Sequence, residues 1–172
     1  MPLYLSKNFL EFPHGALTAH RFDFRIEQHD FVMLFSEVIV NDPDYHAYRS
    51  EEVGFNIPPA CYDVKFDRLE NFNSGNFYTP PPAELRSRKR RFADELAEAL
   101  ETIIMLHHKA YRARAYFAIA ETEKLKRFYD RVLQHPPRDV IYEVNTAIGE
   151  GGRGYVLKTR YFNPEKNDSC RA

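Results

Sequence analysis

A chain of 172 residues with 44% hydrophobic and 15% aromatic residues carries enough material for one domain with its own core, which excludes disorder of the whole chain. Its 24 basic and 25 acidic residues leave a formal net charge of −1, so no global attraction draws it to nucleic acid or an anionic membrane, and any such partner must be met by a local patch. No window approaches the roughly 20 uncharged apolar residues of a membrane helix, and the opening MPLYLSKNFLEFPHG lacks a basic-then-apolar signal layout, so a cytoplasmic location without membrane contact is expected.

In chain order, alternation is clear over residues 17–26, with His20, Phe22, Phe24 and Ile26 on one face and Arg21, Asp23 and Arg25 on the other, the pattern of a half-buried strand. After a turn at residues 27–30, the nearly all-apolar run 31–40 predicts a strand deeper in the sheet. Residues 41–59 carry NDPD, Gly54 and Pro58-Pro59, which predicts a long loop or lid. Residues 60–69 alternate again, with Tyr62, Val64 and Phe66 inward and Asp63, Lys65 and Asp67 outward. These three strands form an antiparallel meander. Residues 71–82, NFNSGNFYTPPP, predict a second irregular segment.

A long helix is predicted from near Pro82 to Tyr111, because Leu85, Phe92, Leu96, Ala99, Leu100 and Ile103 recur at three- and four-residue steps. At ~1.5 Å per residue it spans more than about 40 Å. Residues 115–120, AYFAIA, read as a strand covered on both faces. Thr122 then caps a helix whose Leu125, Phe128, Tyr129, Val132 and Leu133 share a face, and His135-Pro136-Pro137 ends it. Strands at residues 140–144 and 155–162 flank the glycine-rich stretch 149–154, GEGGRG, which lacks the helix and Lys-Ser or Lys-Thr of a phosphate loop and reads as a mobile hairpin tip.

This order resembles the core of the GNAT acyltransferase superfamily. The stretch FADELAEALETIIMLHHKAYRARAYFAIAETEKLKRFYDRVL, residues 92–133, is similar to the family's long helix, central strand and following helix, with Phe128-Tyr129 where the family commonly carries a Phe-Tyr pair. The resemblance implies an α+β fold, a mostly antiparallel β-β-β-α-β-α-β-β sheet with one long and one short helix packed on it. It also implies Tyr129 as a general acid toward a departing thiolate, against the plainer reading of Tyr129 as core packing. Where the family places glycines that let backbone N–H groups touch the pyrophosphate of acetyl-CoA, this chain reads Arg86-Ser87-Arg88-Lys89-Arg90-Arg91.

That basic run is the most unusual local feature, since cations in a helix's first turns oppose the macrodipole. Arg86, Arg88, Lys89 and Arg90 are candidate anion-binding donors for phosphates of CoA, a nucleotide or a nucleic-acid backbone. The competing reading is a solvated face, with Arg90 and Arg91 four residues before Asp94 and Glu95. Tyr45, Tyr48 and Phe55 in the first loop, and Phe72, Phe77 and Tyr78 in the second, are candidate partner contacts or caps on the sheet. Asp63 and Asp67 share a strand face but read as ordinary exposed charge. His107-His108 cannot face one site on a helix, and no metal is expected. Cys61 and Cys170 are expected to be free thiols.

The expectation is one domain over residues 1–162 with a flexible tail at 163–172. Its function reads as a degenerate GNAT-like module that binds an unknown protein or nucleic acid through the basic helix start and aromatic loops, with no cofactor. The alternative is a divergent N-acyltransferase using acetyl-CoA or another acyl-CoA. An exposed last strand could pair with a second copy to give a homodimer.

Overall fold

The computed structural model describes residues 1–14, 17–82, 84, 91–137 and 139–162. Within them an α+β fold is built on one eight-stranded, mostly antiparallel sheet. The strands are β1 (Leu3–Tyr4), β2 (Leu10–His14), β3 (Leu17–Ile26), β4 (His29–Glu37), β5 (Cys61–Arg68), β6 (Ala115–Ile119), β7 (Ile141–Ile148) and β8 (Gly154–Thr159). The helices are α1 (Pro43–Val53), α2 (Leu69–Ser74), α3 (Phe92–Tyr111) and α4 (Glu123–Val132). Strand order is β1-β3-β4-β5-β6-β8-β7, with β2 also on β3. Among the described residues β5 and β6 form the parallel pair.

The meander β3-β4-β5 forms as its alternation predicts, with Phe22 opposite Met33 and Met33 opposite Phe66. One face carries Phe22, Phe24, Phe35, Tyr62 and Tyr116 against Leu96, Leu100 and Ile103 of α3. Each such aromatic or aliphatic side chain contributes on the order of 1.5–3 kcal/mol when fully buried. On the other face α1 closes a smaller core of Val38, Val53, Ile57, Cys61, Phe117 and Val156. Residues 115–117 are buried on both sides, as an unalternating apolar run requires. Cys61 is a free, buried thiol that burial pushes up to about 12; Cys170 and the tail 163–172 lie outside the described residues.

Several elements depart from the sequence reading. Residues 41–59 are not a loop, because their punctuation caps a helix. Asp42 accepts the Tyr45 N–H, Pro43 occupies the first turn, and Gly54 ends α1 in the left-handed region at φ 87°. Residues 69–74 likewise close into α2, ended by Gly75 at φ 77°. Helix α3 starts at Phe92 rather than near Pro82, so its 20 residues span about 30 Å; Leu85 and residues 86–90 lie outside the described residues. Two N-terminal strands that lack a readable pattern, β1 and β2, pair with β3. Strand β7 runs on to Ile148, and β8 stops at Thr159.

A polar chain crosses the larger core. His107 of α3 is wholly buried, and its Nε2 shares a hydrogen bond of 2.9 Å with Nδ1 of His20. Its Nδ1 lies 2.8 Å from the Tyr116 hydroxyl. The ring stacks on Phe35 with centroids 4.0 Å apart. Burial, then the neighbouring His20 and His108, lowers its pKa to about 2.

Candidate functional site

Parallel pairing of β5 with β6 covers Cys61 opposite Ala115, Tyr62 opposite Tyr116 and Asp63 opposite Phe117. Strand β5 then runs on to Arg68 while β6 ends at Ile119, and past the last register pair a cleft opens on each face of the sheet. The α3 face holds a cleft of about 350 Å3 walled by Phe31, Phe66, Leu96 and Phe128, with the first turn of α3 and Lys124 at its rim. The α1 face holds one of about 450 Å3 whose walls include Glu37, Arg49, Glu52, Asp63, Ile119 and Glu121. Tyr78 lines both.

Asp67 fixes Tyr78. One carboxylate oxygen accepts the Arg68 backbone N–H and the Asn71 side-chain amide, both at 2.8 Å. The other accepts the Tyr78 N–H at 2.6 Å. The next carbonyl, of Thr79, accepts from Arg68 Nη2 at 2.7 Å and from Asn71 Nδ2 at 2.8 Å. These bonds hold Tyr78 at φ 63°, a conformation that side chains of this size rarely adopt. Burial, with Glu121 and Asp67 nearby, pushes its phenol up to about 12, so the hydroxyl is protonated at neutral pH and available as a donor.

Arg49 ties α1 to the sheet. Its Nη1 and Nη2 donate to the two Asp63 oxygens at 2.8 and 2.6 Å, and Nη1 also donates to the Tyr45 hydroxyl at 2.9 Å. The guanidinium lies 5.8 Å from the Tyr45 and Phe117 ring centroids. The Asp63 hydrogen bonds, working against burial, raise its pKa. Its Nε is buried and makes an ion pair with Oε1 of Glu52 at 3.5 Å rather than a hydrogen bond.

The anticipated residues fall in different places. Arg86, Arg88, Lys89 and Arg90 lie outside the described residues. Tyr129 packs edge-on against Tyr155 at 5.5 Å and Phe66 at 6.2 Å. It lines a small apolar cavity of about 60 Å3 under α4, and burial pushes its phenol far up, with Tyr78, Tyr155 and Glu121 adding to the shift.

The six aromatics do not share one surface. Tyr45 and Tyr78 line the α1-side cleft, and Phe77 sits beside it, with the Lys65 ammonium 5.5 Å from its ring centroid. Phe55 packs against Phe117 and Phe162 in the smaller core, Phe72 meets Arg21 on β3, and Tyr48 stays 65% exposed on α1.

Asp63 and Asp67 are not free strand charge, since α1 and α2 cover that face and each carboxylate holds a defined partner set. Arg49, Glu52 and Glu121 were not singled out. A helix pattern over residues 43–53 would have put Arg49 and Glu52 on adjacent turns; Glu121 has no local signal. Among the described residues, no group of three or more His, Cys, Asp or Glu side chains could hold a metal ion, and no helix is long and apolar enough to cross a membrane. No model of a known protein family, no curated protein and no solved structure matches this chain.

Proposed function

We propose that the chain is a divergent GNAT-like N-acyltransferase that uses an acyl-CoA as donor. The observation that carries this reading is the pair of clefts on opposite faces of the sheet that meet at Tyr78, where β5 and β6 part. Clefts that share one wall residue let a donor and an acceptor approach one point from two sides. The order β3, β4, β5, α3, β6, α4, β7, β8 supports it, with α1 and α2 as additions.

The α3-side cleft fits the donor. Its Phe31, Phe66 and Phe128 walls suit an apolar arm. The start of α3 and Lys124 line its rim and bring positive charge toward phosphates. A bound acyl-CoA supplies an activated thioester. Tyr78, protonated and shared by the two clefts, is the candidate donor to the departing sulfur in preference to Tyr129, which lines neither of them.

The binding-module reading rests on the basic run, which lies outside the described residues, and on aromatics that the fold distributes over several surfaces. The two clefts favour turnover. Calorimetric titration with acetyl-CoA and CoA tests the proposal, with a dissociation constant on the order of micromolar expected. Absence of binding by either compound at about a thousand times that concentration would overturn it.

A further inference from the structure

Helix α4 carries its apolar residues at the spacing of a buried face, yet none of its residues is fully buried. Leu125, Phe128, Val132 and Leu133 each stay partly exposed. Polar bonds tie the helix to the β8 hairpin, where the Tyr155 hydroxyl donates to Asp130 and the Arg153 guanidinium to Glu123. The apolar side is less well filled. Between α4, α3 and the sheet lies the cavity of about 60 Å3, walled by Val64 of β5, Ala118 of β6, Leu157 of β8, Leu100 and Ile104 of α3 and Val132 of α4. It is several times the roughly 10–15 Å3 that admits one water. Such walls give a water too few polar partners, and apolar cavities of this kind stay dry and take apolar ligands.

The cavity continues the α3-side cleft. Phe66 and Phe128 line both, with ring centroids 6.3 Å apart and planes at 59°. Rings at that spacing touch, so the two form a partition. A chain that enters from the cleft displaces Phe128, and Phe128 belongs to the helix that buried packing does not clamp. Glu101 also stands on the cavity wall, its carboxyl pushed up first by burial and then by Glu98. A place of low polarity beside one carboxylate rejects a second, so the occupant is a neutral chain tethered at its other end.

We propose that the cavity under α4 receives the tail of a medium-chain acyl group, so that a hexanoyl or octanoyl thioester is the donor in preference to acetyl-CoA. This rests on the acyltransferase reading, which supplies the thioester and the cleft through which the chain arrives. Phe66 and Phe128 are then the residues that admit the chain, and Ala118 and Val132 set how much of it fits. The small volume excludes longer fatty chains, which would have to lift α4 off the sheet.

The test is calorimetry on the full chain with CoA, acetyl-CoA, hexanoyl-CoA and sodium hexanoate. Each methylene buried tightens binding about four-fold, so hexanoyl-CoA is expected to bind at least about ten times more tightly than acetyl-CoA, and hexanoate not at all. Ala118→Leu and Val132→Leu fill the cavity from the sheet and from α4. Each is expected to cut the hexanoyl preference by about three-fold or more while the acetyl-CoA titration, which reports a folded protein, stays as in the wild type. Hexanoyl-CoA binding no tighter than acetyl-CoA in the wild type, or a preference that survives both substitutions, overturns this inference and keeps the acyltransferase. Hexanoate binding as tightly as hexanoyl-CoA overturns it in favour of a free acid. Failure of CoA and both of its thioesters to bind overturns the acyltransferase reading and this inference with it.

Discussion

Acidification should loosen this fold through a single buried ring. His107 is held at a pKa of about 2, chiefly by burial, against an ordinary value of 6.5. Its folded-state value is depressed, so between the two the unfolded chain binds one more proton than the folded chain. Stability from this group is complete above pH 6.5 and falls as the pH drops toward 2. The slope is about 1.4 kcal/mol per pH unit, so at pH 4.5 the loss is on the order of 2.7 kcal/mol. His20 and His108, also lowered mainly by burial, steepen the same trend. Neither hydrogen-bond partner of the ring carries a negative charge to offset protonation: Nε2 meets the His20 imidazole and Nδ1 the Tyr116 phenol, whose pKa burial has raised.

Urea unfolding at pH 7.5, 6.0 and 4.5, on the wild type and His107→Leu, measures the effect. The variant is less stable at pH 7.5 because it leaves His20 and Tyr116 without their His107 partner, but its stability should fall less steeply with acid, by about 1.4 kcal/mol per unit between pH 6 and 4.5. Parallel slopes for the two proteins would refute the reasoning, since the carboxylates titrate equally in both.

Three further outcomes follow from the geometry. Ala93→Glu adds an acid in the first turn of α3, on the wall of the α3-side cleft. It should leave the melting temperature unchanged or raise it, through the helix dipole, while calorimetry shows weaker CoA binding. Arg49→Ala strips Asp63 and Tyr45 of a buried partner. The loss in chemical denaturation should be about 2–3 kcal/mol, below that of a fully buried pair because the Asp63 side chain is 39% exposed. Gly154→Ala should disrupt the β7–β8 hairpin, since its Cβ would lie 2.7 Å from the Ile148 carbonyl oxygen, and near-ultraviolet circular dichroism of the adjoining Tyr155 reports it.

The sheet was legible where hydrophobic periodicity was unambiguous. The alternation of Phe22, Phe24 and Ile26 fixed a face, and Leu96, Leu100 and Ile103 fixed the helix that covers it. Helix α1 was hidden because Asp42, Pro43 and Gly54 punctuate loops and helix ends alike, and its charged residues offer no apolar stripe. Missing α1 concealed the site as well: without a helix over β5, Asp63 looks like solvated charge, and Arg49 has no reason to be buried. Tyr78 was noticed as an aromatic in a loop. Its position between two clefts depends on Asp67, Arg68 and Asn71 closing on residues 78 and 79, a long-range arrangement that composition and periodicity do not encode.

Tyr78 is where structure and function can be separated. Holding this residue at φ 63° costs about 1–3 kcal/mol of backbone strain, offset by the Asp67 hydrogen bonds. Tyr78→Gly removes that strain along with the ring's packing, so its stability should lie within about 1 kcal/mol of the wild type. Tyr78→Phe keeps packing and strain and removes only the hydroxyl. If the phenol donates to the departing sulfur, Tyr78→Phe should bind acetyl-CoA as the wild type does and lower kcat by about 100-fold, with the alkaline limb of the rate profile altered. Tyr129→Phe should cost less than about ten-fold. Acetyl transfer unchanged in Tyr78→Phe but abolished in Tyr129→Phe would return the catalytic role to α4 and leave the strained loop as a wall between the clefts.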